Sequence, residues 1–240
     1  DNFADSGVMK MFRRADGTLV IGGMRGSLVF WQHGKATGSI RLEGVISDID
    51  EDAAGVLWVT TEGNGLFRVQ PDGTVRRFGL SDGLPSLQLH QVEHSRDNKM
   101  WFATVKGLFW VDPALETPRF QPVSRFRDID TLTVAESASG SLLVGTVQGA
   151  FSMDLQQIQP LHPGLANTAV SAFVQDKEGP LWIGTQDKGL FRLSGEVLEQ
   201  LSQQNGLPDN RVLSLFQDKD LNIWVGTNVG LYRMRNTAFR

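Results

Sequence analysis

The chain has 240 residues, with 23 Lys and Arg against 27 Asp and Glu and a formal net charge of −4. That balance supplies no basic face for a nucleic-acid backbone, and the Arg13–Arg14 and Arg76–Arg77 pairs read as solvated strands or turns. There is no cysteine, which excludes disulfides and thiol chemistry, and no apolar run approaches the roughly 18 residues of a spanning helix. No signal peptide opens the chain; a start at Asp1 without Met is expected of a processed or excised segment, with any membrane anchor outside it.

In chain order, one phrase occurs six times: GTLVIGGMRGSLVF (Gly17–Phe30), GVLWVTTEGNGLF (Gly55–Phe67), NKMWFATVKGLF (Asn98–Phe109), GSLLVGTVQGAF (Gly140–Phe151), GPLWIGTQDKGLF (Gly179–Phe191) and LNIWVGTNVGLY (Leu221–Tyr232). Its anchor is Val20, Trp58, Trp101, Leu143, Trp182 and Trp224, at gaps of 38, 43, 42, 39 and 42 residues. So steady a period means one supersecondary unit repeated. The predicted repeats run approximately 7–43, 44–86, 87–127, 128–167, 168–209 and 210–240.

The last unit shows the build. Arg211–Gln217 is a predicted strand, Asp218-Lys219-Asp220 a turn, Asn222–Thr227 a second strand, Asn228-Val229-Gly230 a turn and Leu231–Met234 a third strand. Earlier units add a fourth at Thr74–Phe78, Phe120–Val123, Gln157–Leu161 and Val197–Leu201. Four short strands cannot bury both faces alone, so the expected fold is an all-β propeller of four-stranded antiparallel blades, which a spacing near 40 residues favours over the alternative of an open β-solenoid or stacked sandwich. Two closures fit the ends: Phe3 in an outer strand completing a six-bladed ring, or a seventh blade from a longer parent. The anchor rings are expected to fill the wedge between blades. Gly-Thr pairs (Gly145-Thr146, Gly184-Thr185, Gly226-Thr227) close the second strands, and Gly65, Gly107, Gly149, Gly189 and Gly230 supply positive φ or close approach in the next turn.

The phrase GLPDNRVLSLFQDKDLNIWVGTNVGLYRM (Gly206–Met234) resembles the two-component regulator propeller repeat, whose pattern runs Gly-Leu, a polar or proline pair, a strand, Gln/Glu-Asp, a turn, L-W-I/V-G-T and G-L. Gly164–Phe191 lacks only the proline, while Gly83–Phe109 departs at His94-Ser95 and Ala103; the first and fourth copies lack Trp, and the first lacks the opening Gly-Leu. The resemblance implies the periplasmic or extracytoplasmic sensor region of a membrane-anchored histidine kinase or diguanylate cyclase, with the output outside this chain and a homodimer in the full receptor. The family has no catalytic residue set to carry over.

No catalytic constellation is expected, nor any metal or cofactor. His33 and His162 stand apart, and His90 and His94 fall on a predicted strand, where four residues span about 13 Å and cannot share one ion. Asp16, Asp52, Asp72, Asp97, Asp176, Asp218 and Asp220 sit in turns, where carboxylates bind nearby backbone; a calcium loop lacks its glycine and distal glutamate. A nucleophile elbow, a phosphate loop and a flanked carboxylate pair are all missing from the sequence.

A ligand is expected at one end of the blades. The turns between second and third strands present Arg25, Glu62, Asn64, Lys106, Gln148, Asp187, Lys188 and Asn228, and the approaches to the first strands present Ser6, Gln88, Asp130, Asn167, Asn210 and Arg211. These residues vary between copies while the scaffold holds, as a binding rim does and as unconstrained loops do. Lys106 and Arg211 are the foremost, as charged donors for an anionic or hydroxyl-rich ligand. The opposite end carries uniform turns (Asp176–Glu178, Asp218–Asp220) expected to be solvated. Ten residues before each anchor lie Lys10, Asp48, Gln91, Thr133, Ala172 and Ser214, which fit either a water-filled channel or mixed strand-edge contacts. The expected function is sensing of a small molecule, saccharide or peptide. The alternatives are a protein-interaction propeller and a polysaccharide-active enzyme.

Overall fold

A computed structural model of the chain describes residues 7–154 and 157–234; Phe3 and Ser6 lie outside them. Apart from three single-turn 3-10 helices, the regular structure of the described residues is entirely β-strand. Blade 1 comprises β1 (Val8–Arg13), β2 (Leu19–Gly23), β3 (Ser27–Gln32) and β4 (Lys35–Arg41); blade 2 comprises β5 (Val45–Glu51), β6 (Leu57–Glu62), β7 (Leu66–Val69) and β8 (Val75–Phe78). Blade 3 holds β9 (Leu89–His94), β10 (Met100–Thr104), β11 (Gly107–Val111) and β12 (Gln121–Pro122); blade 4 holds β13 (Thr131–Glu136), β14 (Leu142–Thr146), β15 (Gly149–Met153) and β16 (Ile158–Pro160). Blade 5 holds β17 (Val170–Gln175), β18 (Leu181–Thr185), β19 (Leu190–Ser194) and β20 (Val197–Leu201), and blade 6 holds β21 (Val212–Gln217), β22 (Ile223–Thr227) and β23 (Gly230–Met234). Every sheet is an antiparallel meander, the form expected of propeller blades. The predicted strands of the last unit fall within one residue of the observed ones.

The chain divides into two compact units, one ending at Asp128 and the other starting at Ile129, with three blades in each. In both, the core is a series of wedges between consecutive blades. Trp58 and Leu66 pack with Leu89, Val92 and Phe102 of the next blade, and Trp182 and Leu190 pack with Val212, Ile223 and Val225 of the next. Val20 and Leu143 fill the same place with less volume. Second strands such as β10, β14 and β18 are buried at every position, which is why they read as unbroken apolar runs rather than alternating ones.

The Gly-Thr pair has a definite cause at each of its members. A Cβ on Gly184 would lie 2.6 Å from Val212 Cγ1, and one on Gly145 2.9 Å from Val170 Cγ1, so a β-branched residue opening the next blade seats on bare backbone. The threonine hydroxyl donates across the following turn: Thr61 to Gly65 O at 2.7 Å, Thr146 to Gly149 O at 3.0 Å and Thr185 to Gly189 O at 2.7 Å. Each turn glycine has φ in the left-handed region. At Gly189 (φ +82°) a side chain would also meet Leu201 O at 2.3 Å.

Each first strand carries a bulge against its partner, at Met9, Ser47, His90, Leu132, Ser171 and Leu213. Two of these residues stitch blades: Ser47 Oγ donates to Leu89 O at 2.7 Å and Ser171 Oγ to Val212 O at 2.6 Å.

Candidate functional site

The hairpins between second and third strands are held rigidly at their base. Besides the threonine hydroxyl bond, the amides of Lys106, Gln148 and Lys188 each donate back to the threonine oxygen at 3.0 Å. Approach segments then bond to the same hairpins. Asp128 N donates to Lys106 O at 3.1 Å, Asn167 N to Gln148 O at 3.0 Å and Gly189 N to Asn210 O at 2.9 Å. Val147 N donates to Asp130 O at 3.1 Å, and Glu62 and Gln88 form an isolated β-bridge. The two sets of candidate residues therefore share one end of the blades within each unit.

Their side chains divide into two kinds. Lys106 forms an ion pair with Asp128 at 3.5 Å, both side chains more than half exposed, and such a pair is worth little. Lys188 Nζ donates to Thr168 Oγ1 at 2.9 Å, Asn210 Oδ1 accepts from Gln203 N at 2.8 Å, and Asn64 O accepts from Arg77 Nε at 2.9 Å. Those residues brace the loops. Glu62, Gln88, Gln148, Asp187, Arg211 and Asn228 are exposed, as is Arg25 at its turn, while Asp130 is half-buried.

A second polar feature lies on the first strands of the first unit. Lys10 Nζ is 2.6 Å from Asp48 Oδ1, and Asp48 is almost fully buried. The other Asp48 oxygen accepts from Val92 N at 3.2 Å, so one carboxylate ties β1, β5 and β9 together. Asp50 Oδ2 accepts from His94 N at 2.6 Å. Burial pulls the Lys10 ammonium down, but Asp48, with Asp50 and Glu93 behind it, outweighs this and holds it above its usual value. Burial raises Asp50 to about 6 against the backbone bonds from Glu51 and His94. Lys10 and Asp48 belong to the set of residues ten before each anchor. In the second unit its members, Thr133, Ala172 and Ser214, carry no charge.

At the opposite end Lys177, Glu178, Lys219 and Asp220 are exposed. Asp176 is buried rather than solvated, and so is Asp52, because each accepts an indole proton from its own anchor: Trp182 Nε1 to Asp176 Oδ2 at 3.0 Å and Trp58 Nε1 to Asp52 Oδ2 at 2.8 Å. Trp224 bonds Asp218 in the same way at 2.8 Å, the first of the contacts that lower this carboxyl to about 2. Ser95 Oγ replaces the carboxylate for Trp101 at 2.9 Å. The preceding glutamine reaches the previous blade, with Gln217 Nε2 donating to Asp176 Oδ1 at 2.7 Å. This end also holds a cleft of about 340 Å³ between blades 1 and 2, walled by Phe30, Ile40, Leu57 and Pro71 with Arg14 at its edge. Arg14 is fixed there by Glu51 Oε1 at 2.6 Å and Gly55 O at 3.0 Å. His94 Nε2 lies 3.0 Å from Asn98 Oδ1, and among the described residues no group of three or more His, Cys, Asp or Glu could hold a metal.

Blade topology defines a β-propeller of four-stranded antiparallel blades. The two-component regulator propeller model matches residues 164–187 and 206–229, in blades 5 and 6. No curated protein sequence matches the chain. Among solved structures it is similar to the extracellular domain of the hybrid two component system BT4673 from B. thetaiotaomicron (TM-score 0.81, 20% identity), covering 99% of this chain and 34% of that one. The extracellular domain of BT3049 from the same organism is comparable (TM-score 0.79, 20% identity, 95% of this chain and 33% of that). An inactive virginiamycin B lyase from Staphylococcus aureus, solved with quinupristin, matches with TM-score 0.82 at 12% identity over 98% of this chain and 83% of that. At these identities the likeness is one of fold, and the chain spans about a third of the length of the two-component structures.

Proposed function

We propose that this chain is the ligand-sensing part of an extracytoplasmic receptor domain, whose output is a two-component or cyclic-dinucleotide signalling module outside it. The observation that carries the reading is the coincidence of two-component regulator propeller repeats with a braced hairpin face whose outward side chains differ from blade to blade. No helix among the described residues is long and apolar enough to cross a membrane, so on this reading an anchor lies elsewhere in the receptor. The fold likeness to a lyase supplies no catalytic residues to this chain.

The ligand class that suits the face of the second unit is a small anionic or hydroxyl-rich molecule, held by Arg211, Gln148 and Asn228. Binding to the folded state alone raises the melting temperature with ligand concentration. The test is thermal unfolding of the 240-residue chain against sugars, peptides and small metabolites. A concentration-dependent rise for one ligand class, abolished by Arg211→Ala, supports the reading. A cooperative melt unmoved by every class counts against it.

A further inference from the structure

The cleft between blades 1 and 2 is open because of two residues of blade 1, as the next joint in the same unit shows. In blade 2 the residue paired with the anchor Trp58 on β7 is Arg68, and the residue paired with Arg68 on β8 is Arg76. Both reach blade 3: Arg68 Nη1 donates to Leu115 O at 3.3 Å and Arg76 Nη1 to Glu116 O at 3.1 Å. On the way Arg68 lies over the Trp58 ring and Arg76 over Phe78. Two long side chains thus span the gap between blades 2 and 3. In blade 1 the same two positions, opposite Val20 on β3 and then across on β4, are Phe30 and Gly38. Neither side chain can donate to the next blade. Among the described residues, a Cβ on Gly38 would meet only Phe30 Cδ2 within 4 Å, at 3.9 Å. What is left is the cleft of about 340 Å³, within the roughly 300–1,000 Å³ of small-molecule sites.

A cation is fixed at its edge. Arg14 stands six residues before its anchor, where Asp52, Asp176 and Asp218 accept an indole proton; Val20 has none to give, and Arg14 crosses to blade 2 instead. Its Nε and Nη2 donate to Glu51 Oε1 at 2.8 and 2.6 Å, and Nη2 also to Gly55 O at 3.0 Å. These bonds preorganise the guanidinium, whose side chain is 19% exposed, while its Nη1 has no partner among the described residues. A Cβ on Gly55 would lie 3.5 Å from Arg14 Nη2 and 4.0 Å from Pro71 Cγ, so the glycine keeps the floor clear beside the cation. Glu51 already balances the charge of Arg14, and the exposed Asp72 adds a negative charge at the rim, so an anion is poorly matched. We propose that this cleft binds a small uncharged amide with an aromatic or branched aliphatic body. The body lies against Phe30, Ile40, Leu57 and Pro71, the carbonyl accepts from Arg14, and the N–H donates to the acceptors of Gln70 and Asp72. The site is independent of the hairpin face, which is at the other end of the blades.

The test titrates the full chain with N-acetylphenylalaninamide and follows its backbone amide and arginine side-chain NMR signals. Saturable shifts are expected at Gly38, Gly55 and the Nε–H of Arg14. Gly38→Trp fills the cleft from a position that has open space beside it and no positive φ, so its melt should match that of the wild type. It should weaken binding by about tenfold or more, because two groups cannot share one close-packed volume. If Gly38→Trp does not melt cooperatively, Gly38→Arg, which repeats the blade 2 arrangement at this position, takes its place. N-acetylphenylalanine, the same body carried by an anion, should bind about fivefold or more weakly than the amide. The proposal is overturned if the amide gives no saturable shift up to its solubility, if its shifts fall on the hairpins of Gln148 and Arg211 instead, or if filling the cleft leaves the affinity unchanged. Equal affinity for the acid and the amide overturns the assignment of an uncharged ligand.

Discussion

The two three-blade units share a scaffold and differ on their first strands. At corresponding positions the first unit carries Lys10, Asp48 and Gln91, then Phe12, Asp50 and Glu93; the second carries Thr133, Ala172 and Ser214, then Ala135, Val174 and Phe216. Anchors, turn glycines and hairpin threonines do not follow this division, because each is fixed by a neighbouring blade or by its own turn. A first strand meets its neighbours with one edge and can vary the rest. The first unit uses that freedom to bury charge, which costs stability unless every carboxylate finds partners, and Asp48 finds three: Lys10, Ile49 N and Val92 N.

The largest expected effects test the shared scaffold. Trp58→Ala and Trp182→Ala should each cost about 3–5 kcal/mol in urea unfolding, since both rings are fully buried and bonded to an aspartate. A loss for one less than half that for the other would break the equivalence of the units. Next comes the difference itself. Asp48→Ala should cost about 3 kcal/mol by leaving Lys10 and Val92 N without their acceptor, whereas Ser214→Ala, at the same repeat position, should stay within about 0.5 kcal/mol.

Acidity sharpens the contrast. Because Asp50 is raised to about 6 in the folded chain from an ordinary 3.8, the folded state holds its proton more tightly than the unfolded one. Its contribution is complete below the unfolded value and is lost as pH rises through about 6. Relative to Asp50→Asn, the wild-type chain should therefore gain about 2–3 kcal/mol between neutral pH and pH near 4. Urea titrations across that range measure the gain. A flat difference would remove the buried carboxylate from the account. The smallest effects belong to the hairpin face: Lys106→Ala and Arg211→Ala should alter unfolding by less than about 0.5 kcal/mol.

Much of the fold was legible because a repeat exposes its own constraints. Trp58, Trp182 and Trp224 fall at one position, and the strand breaks carry Gly, Asp and Asn. The indole–carboxylate bond was missed, though a signal exists six residues before each anchor. Asp52, Asp176 and Asp218 precede tryptophans, Ser95 precedes the tryptophan with a hydroxyl acceptor, and Ser137 and Arg14 precede Leu143 and Val20, which have no indole. The pairing of Lys10 with Asp48 was not legible as a contact, because it depends on how bulged strands of different repeats align. The cleft by Arg14 is likewise assembled from two blades and has no local signature. For the hairpin face, the sequence showed which residues vary but could not show that Lys188 and Asn210 are engaged in bracing their loops.

The bulge that recurs in all six first strands has a consequence for how this protein behaves among its own copies. A first strand has a β-partner on one side only, and its other row of amides and carbonyls is a template for a foreign strand except where a neighbouring blade's side chain takes it up, as at Leu89 O, Val92 N, His94 N and Val212 O. One extra residue per strand spoils the spacing of that row and twists it. Edge pairing is thereby disfavoured by the backbone rather than by surface charge, and the side chains of these strands are that much freer to vary.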